Sequence, residues 1–172
     1  PPTAGTPFYI RVSKVTDSAG NYINATASVS ITNAGITASL NSISLSGGIG
    51  SNWQTITTAT TNRVFFKIKV GSISNYLNVS NVLPTTNVGS LDMLSTVSKV
   101  TAGRFINSPI TVRIFDTLGN IKYNATNHVL FNSSDTRKIF TNIWSKPAQF
   151  AAADRGIKTI RTTNFMFRTA DI

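Results

Sequence analysis

One short phrase occurs twice and limits what the chain can fold into. Asp-Ser-Ala-Gly-Asn stands at 17–21 and Asp-Thr-Leu-Gly-Asn at 116–120, and each is followed by Asn-Ala-Thr, at 24–26 and 124–126. The likeness runs further in both directions. Thr3-Ala4-Gly5 matches Thr101-Ala102-Gly103, and Ile10 and Val12 match Ile110 and Val112, 100 residues on. Val15, Asp17, Gly20 and Asn21 match Ile114, Asp116, Gly119 and Asn120 at an offset of 99. The first copy therefore holds one extra residue between Val12 and Val15. A single residue inserted into a strand reads as a β-bulge, placed at Ser13-Lys14. An internal repeat of this size means that one supersecondary plan is used twice.

The plan is legible from its periodicity. Ile110, Val112 and Ile114 alternate with Thr111, Arg113 and Phe115, the period of a strand with one face turned to a core. Asp, Gly and Asn then break the strand, because Asx side chains bond nearby backbone and Gly tolerates positive φ. A second short strand follows, with Val29 and Ile31, or Val129 and Phe131, facing inward. Each repeat thus reads strand, turn, strand. The expected core is Ile10, Val12, Val15, Val29 and Ile31 in the first copy, and Ile110, Val112, Ile114, Val129 and Phe131 in the second. Later strands are expected at 64–70 and 76–83 in the first half and at 157–163 and 165–172 in the second. Pro, Thr, Asn and Gly cluster at 83–90, which marks a boundary between residues 1–85 and 86–172. Short strands at this spacing predict an all-β protein of two tandem immunoglobulin-like β-sandwiches.

Composition agrees. Thr (24), Ser (19) and Asn (17) dominate the polar residues, Glu is absent, and strong helix formers are scarce. With no Cys, disulfides and thiolate metal sites are excluded. No apolar run approaches the roughly 18 residues of a membrane helix, so membrane insertion is not expected. The chain begins at Pro1 without a Met or signal-like segment, which reads as a processed or excised piece. The net charge is +10, but the basic residues are scattered. The densest groups are Lys67 with Lys69, and Arg155 with Lys158 and Arg161. Such a charge can suit nucleic acid, an anionic membrane or an acidic polymer, but nucleic-acid footprints are tighter and interleaved with aromatics, so the scatter argues against nucleic acid as a partner.

Chemistry-bearing constellations are sparse. His128 is the sole histidine and sits beside Val129 in a strand, which suits an outward surface position better than a nucleophile–base pair. Zinc needs three or four N or S ligands that the chain does not supply. Six scattered Asp make a weak calcium set, and without Glu the carboxylate of an isopeptide-forming pair is less readily found. No catalytic, cofactor-binding or metal residue is assigned. Sequons stand at Asn24, Asn78, Asn124 and Asn132, about as many as this composition gives by chance. Trp53 and Trp144 are candidate glycan-stacking platforms, although anchoring a core or loop is the commoner role of Trp.

The second copy resembles a known family. "VTAGRFINSPITVRIFDTLGNIKYNATNHVLFNSSD", then "AQFAAADRGIKTIRTT" and "FRTADI", is similar to the bacterial immunoglobulin-like (Big-type) repeats of large extracellular surface proteins. The resemblance rests on Thr101 to Gly103, Asp116 to Asn120, Phe131 to Asp135, Phe150 to Gly156, and Thr169 to Asp171. In the first copy "ITTATTNRV" stands where Ala-Ala-Asp-x-Gly is expected. The resemblance implies a non-enzymatic extracellular module without a cofactor, used for spacing, display or adhesion in a cell-surface protein or filament. Its partners would be copies of itself, neighbouring domains or surface glycans. A virion decoration or tail module and a carbohydrate-binding module are the alternatives. In this family a strand precedes the Thr-Ala-Gly turn. The second copy has a candidate at 90–100 and the first has only Pro1 and Pro2. Phe8, Ile10, Val12 and Val15 are therefore the expected acceptor edge for a strand from outside the first sandwich.

Overall fold

The computed structural model describes residues 1–39, 41–97, 99–106, 108–137, 139–140, 148–161 and 165–169. Trp144 and Asp171, and the expected strand positions 162–164 and 170–172, lie outside the described residues. The fold is all-β. Its described helical content is a single 3-10 turn, Ala152–Asp154. The chain divides into two compact units, residues 1–85 and 86–172.

Unit 1 contains β1 (Phe8–Val12), β2 (Ala25–Ile31), β3 (Ser42–Leu45), β4 (Gly50–Gln54), β5 (Val64–Val70) and β6 (Ile73–Val79). β3-β2-β5-β6 form one antiparallel sheet, and β1-β4 form a second. Alternation decides which side chains turn inward. Ile10 of β1, Ala27 and Val29 of β2, Ile43 and Leu45 of β3, and Val64 and Phe66 of β5 are buried together between the two sheets. The hairpins follow the turn residues. Gly47 and Gly48, at φ 55° and 72°, supply the two positive φ values of the tight β3–β4 turn. Gly71, at φ 57°, opens the two-residue β5–β6 turn. The inserted residue of the first copy is taken up beyond the end of β1, where Lys14 adopts φ 61°.

Unit 2 contains β7 (Val88–Ser95), β8 (Ile110–Asp116), β9 (His128–Val129), β10 (Ile139–Phe140), β11 (Ala148–Gln149), β12 (Ile157–Ile160) and β13 (Phe165–Met166). β8 is the central strand of the sheet β12-β8-β7. Ile110, Val112, Ile114 and Asp116 are buried, and the residues between them are half-buried. β9 pairs with β11, and β10 with β13. Val112, Ile114, Ala125, Val129, Phe150 and Ile160 belong to the core of this unit.

The structure realigns the later parts of the two copies. The Gly156 carbonyl accepts from the N–H of Ile114, and the Gly48 carbonyl accepts from the N–H of Val15, the counterpart of Ile114. Each glycine also crowds the residue after the Asp-x-x-Gly-Asn turn, Ile121 or Tyr22. The counterpart of Ala-Ala-Asp-x-Gly is therefore the Gly47-Gly48 turn and not "ITTATTNRV". Likewise β12 lies against β8 as β4 lies against β1, so the strand at 157–160 corresponds to 50–54 and not to 64–70.

Candidate functional site: an open strand edge and an exposed aromatic face

The residues that carry the repeat are turn chemistry, and the two copies use the same bonds. Asp17 Oδ1 accepts from the N–H of Ala19 and of Asn21, both at 2.9 Å, and Oδ2 accepts from Asn21 Nδ2 at 3.2 Å. Asp116 Oδ1 accepts from the N–H of Leu118 and of Asn120, both at 2.9 Å, and Oδ2 accepts from Asn120 Nδ2 at 3.1 Å. Gly20 and Gly119 supply positive φ of 87° and 79°. The backbone N–H of Asn21 foremost, then its side-chain amide, holds the Asp17 carboxyl below its usual range.

The other phrases are spent in the same way. Asp154 Oδ2 accepts from Ala151 N–H and from Lys158 Nζ, each at 2.8 Å. Asp135 Oδ2 accepts from the N–H of Arg168 (2.7 Å) and of Thr169 (3.0 Å). Asp135 Oδ1 accepts from Thr169 Oγ1 (2.7 Å) and from Arg137 N–H (2.9 Å). The N–H of Thr169 foremost, then its hydroxyl, holds the Asp135 carboxyl well below the ordinary carboxylate range. The sign of the pH effect follows. A carboxylate whose folded pKa is depressed stabilises the fold above its unfolded pKa and loses that contribution as pH falls through the folded value. Unit 2 should therefore soften progressively from about pH 4 downward. Asp135→Asn should lower the melting temperature at neutral pH and flatten the acid slope, as read by circular-dichroism melts across pH. An unchanged acid slope in Asp135→Asn would show that this tie does not set it.

A cleft of about 800 Å³ opens beside Asp135 in unit 2, with Lys99, Thr101, Ser133 and Phe167 among its walls. Asp135 is one of its walls, with both carboxylate oxygens already bonded. Among the described residues no group of three or more His or Asp is placed to hold a metal ion, and no helix is long and apolar enough to cross a membrane.

The two copies differ sharply at one place. β8 has β12 on one side and β7 on the other. Among the described strands β1 has β4 alone, and its outer edge is open. Residues 1–7 do not fill that edge. Pro2 and Ala4 bond to Leu83, and Gly5 bonds to Ile56. Three differences in burial follow from this one difference in pairing. Val112 and Ile114 are buried, whereas Val12 and Val15 are half-buried. Asp116 is buried, whereas Asp17 is exposed. In unit 2 the start of β7 lies over the turn, so close that a Cβ on Gly89 would stand 2.3 Å from the Asp116 carbonyl oxygen. Of the expected acceptor residues, Phe8, Ile10 and Val12 lie on β1, and Val15 lies just beyond it. Ile10 is buried and the other three are half-buried, because the flank that β7 gives β8 is missing here.

The outer face of β1-β4 carries an aromatic pair. Tyr9 is opposite Trp53 in the ladder. Their rings meet edge to face at 5.2 Å, and Tyr9 Oη lies 2.5 Å from Ser51 Oγ. Tyr9 is 56% exposed and Trp53 61%. Arg11, also exposed, is the next outward residue on β1. The sequence picked out Trp53 but not Tyr9 or Arg11, because their grouping depends on the register that sets Tyr9 opposite Trp53. The sequon residues Asn24, Asn78, Asn124 and Asn132 are all exposed, and Asn24 Oδ1 accepts from Gly47 N–H at 2.7 Å. His128 is exposed on β9.

No protein-family model, curated protein or solved structure matches the chain.

Proposed function

We propose that the chain is a non-enzymatic structural module, two tandem immunoglobulin-like sandwiches serving as a spacer or subunit of an extracellular surface protein or filament. The observation that carries this reading is the use to which the conspicuous acids are put. Asp17, Asp116 and Asp154 commit their carboxylates to backbone N–H groups of their own turns, and Asp135 commits its carboxylate to backbone N–H groups of Arg168 and Thr169. A scaffold that repeats its own turn chemistry, and spends its acids on it, suits load-bearing or display better than catalysis. The resemblance of the second copy to bacterial immunoglobulin-like repeats supports the same class and the extracellular setting. A second reading, glycan binding, is favoured by one observation, the exposed Tyr9–Trp53 pair beside Arg11, since aromatic faces stack on sugar rings and Arg donates to hydroxyls.

Labelling of intact source material tests the first reading. Antibodies against the chain should decorate the outer surface of unpermeabilised cells or particles. Labelling that appears only after permeabilisation would overturn it. Quenching or a shift of Trp53 fluorescence on titration with an oligosaccharide panel, lost in Tyr9→Ala, would raise the second reading above the first.

A further inference from the structure

The geometry points to the open lane beside β1 as the seat of strand β7 from a second copy of this chain. This rests on the reading of the chain as an assembling module, and it names the contact. The lane is defined from both sheets. β4 lies over β3, since a Cβ on Gly50 would stand 2.7 Å from Leu45 Cδ2 and 3.0 Å from Ile43 Cγ2. β1 lies over β5, where the Phe8 and Phe66 rings meet at 6.0 Å. β2 lies between β3 and β5 in the facing sheet, so the next lane falls on the β6 side of β5, and it is empty among the described residues. The effect shows on β6. Leu77 is opposite Phe66 and Ile73 is opposite Val70, so both share the inward face of the sheet, yet both are exposed.

Unit 2 shows what such a lane holds. There β7 runs antiparallel to β8, with Leu91 opposite Ile114 and Met93 opposite Val112. β7 is poorly covered in that place. Every residue of it but Asp92 is exposed. Leu91 and Met93 share a face with buried Ile114 and Val112 but are 48% and 55% exposed. The two units are thus complementary. One has a strand whose inward residues Leu77 and Ile73 are uncovered among the described residues. The other has a strand whose inward residues Leu91 and Met93 are uncovered.

Moving β7 from β8 to the β1 of another copy exchanges one antiparallel ladder for another, so backbone bonding is balanced. It trades the cover that β7 gives Val112 and Ile114 for contact with Leu77 and Ile73 of β6. The charges also fit. Asp92 pairs with Arg113 at home, and Ser13-Lys14 stand in unit 1 where unit 2 has Arg113. Carrying the register across the repeat sets Met93 opposite Val12 and Leu94 opposite Arg11. Each copy owns one open lane and one β7, so the contact is heterologous and propagates along a line of copies.

The chain contains no cysteine, which makes crosslinking clean. Arg11→Cys and Leu94→Cys, made as separate variants, mixed and mildly oxidised, should give a disulfide heterodimer. Its yield should exceed that of Arg11→Cys mixed with Ser18→Cys, an exposed turn control, by roughly tenfold or more, as a local effective concentration implies. Equal yields would overturn the inference. A second arm locks β7 at home with Leu94→Cys and Thr111→Cys, which face each other in the ladder. In sedimentation the unlocked chain should associate with rising concentration, and the locked chain should not. Association unchanged by the lock, or a wild-type chain that sediments as a monomer at its solubility limit, would also overturn it. Surface labelling of intact source material together with failed crosslinking would leave the structural reading standing and remove this contact alone.

Discussion

Val112→Asp should unfold unit 2 and leave unit 1 folded. Val112 is the middle inward residue of β8, fully buried between the lanes of β7 and β12 and packed with Ile110, Ile114 and Phe150 in one core. The substitution removes a buried side chain whose burial contributes roughly 1.5–3 kcal/mol. It also places a carboxylate where the core offers only hydrocarbon, at a further cost of several kcal/mol or a protonation that leaves a buried polar group. The sum, roughly 5 kcal/mol or more, is comparable with the whole stability of a small domain. Because the two units have separate cores, calorimetry should show one transition lost and one retained. The matched variant Val12→Asp should be milder, since Val12 is half-buried beside the open lane and its carboxylate can reach water. Equal damage from the two variants would show that the lane is closed in solution.

What could be read from residues alone was whatever local alternation and turn chemistry dictate. Ile110, Val112 and Ile114 announce a strand with one buried face, and the structure buries all three. The Asp-x-x-Gly-Asn phrase announces a turn, and both copies bond it alike. What could not be read depends on neighbours in space. Val12 and Val112 occupy the same place in the repeat and have the same side chain, yet their burial differs because β7 flanks only β8. Nothing within β1 records whether a strand lies beside it. The strand after Ile73 ends at Val79 rather than Leu83, because Val82 and Leu83 turn away to bond Thr60 and Pro2. The Tyr9–Trp53 face is invisible until the β1–β4 register is known. The match between Gly48 and Gly156 is hidden for another reason. The same backbone need is met by unrelated neighbours, Ser-Gly-Gly-Ile in one copy and Asp-Arg-Gly-Ile in the other.

That hidden match supplies the second large effect. Gly156→Val and Gly48→Val should each destabilise their own unit by roughly 2–5 kcal/mol, the combined cost of a left-handed backbone for a branched residue and of overpacking. Gly156 sits at φ 75°, and a Cβ there would stand 2.6 Å from the Lys122 carbonyl oxygen. Gly48 sits at φ 72°, and a Cβ there would stand 2.5 Å from the Val15 carbonyl oxygen. Backbone is the obstacle in both cases, so no side-chain rotation relieves the clash. Each glycine carbonyl also accepts from a backbone N–H just before the repeated motif, Ile114 or Val15, so a shift to escape the overlap breaks that bond. Gly47 is the built-in control. It has φ 55° and nothing within 4 Å of an added Cβ, so Gly47→Ala should carry the conformational cost without the collision, about 1–2 kcal/mol. Urea unfolding of each variant, followed unit by unit, gives the comparison. Should Gly48→Val cost no more than Gly47→Ala, the Gly48 turn does not lock onto β1's continuation as Gly156 locks onto β8, and the realignment of the two copies fails.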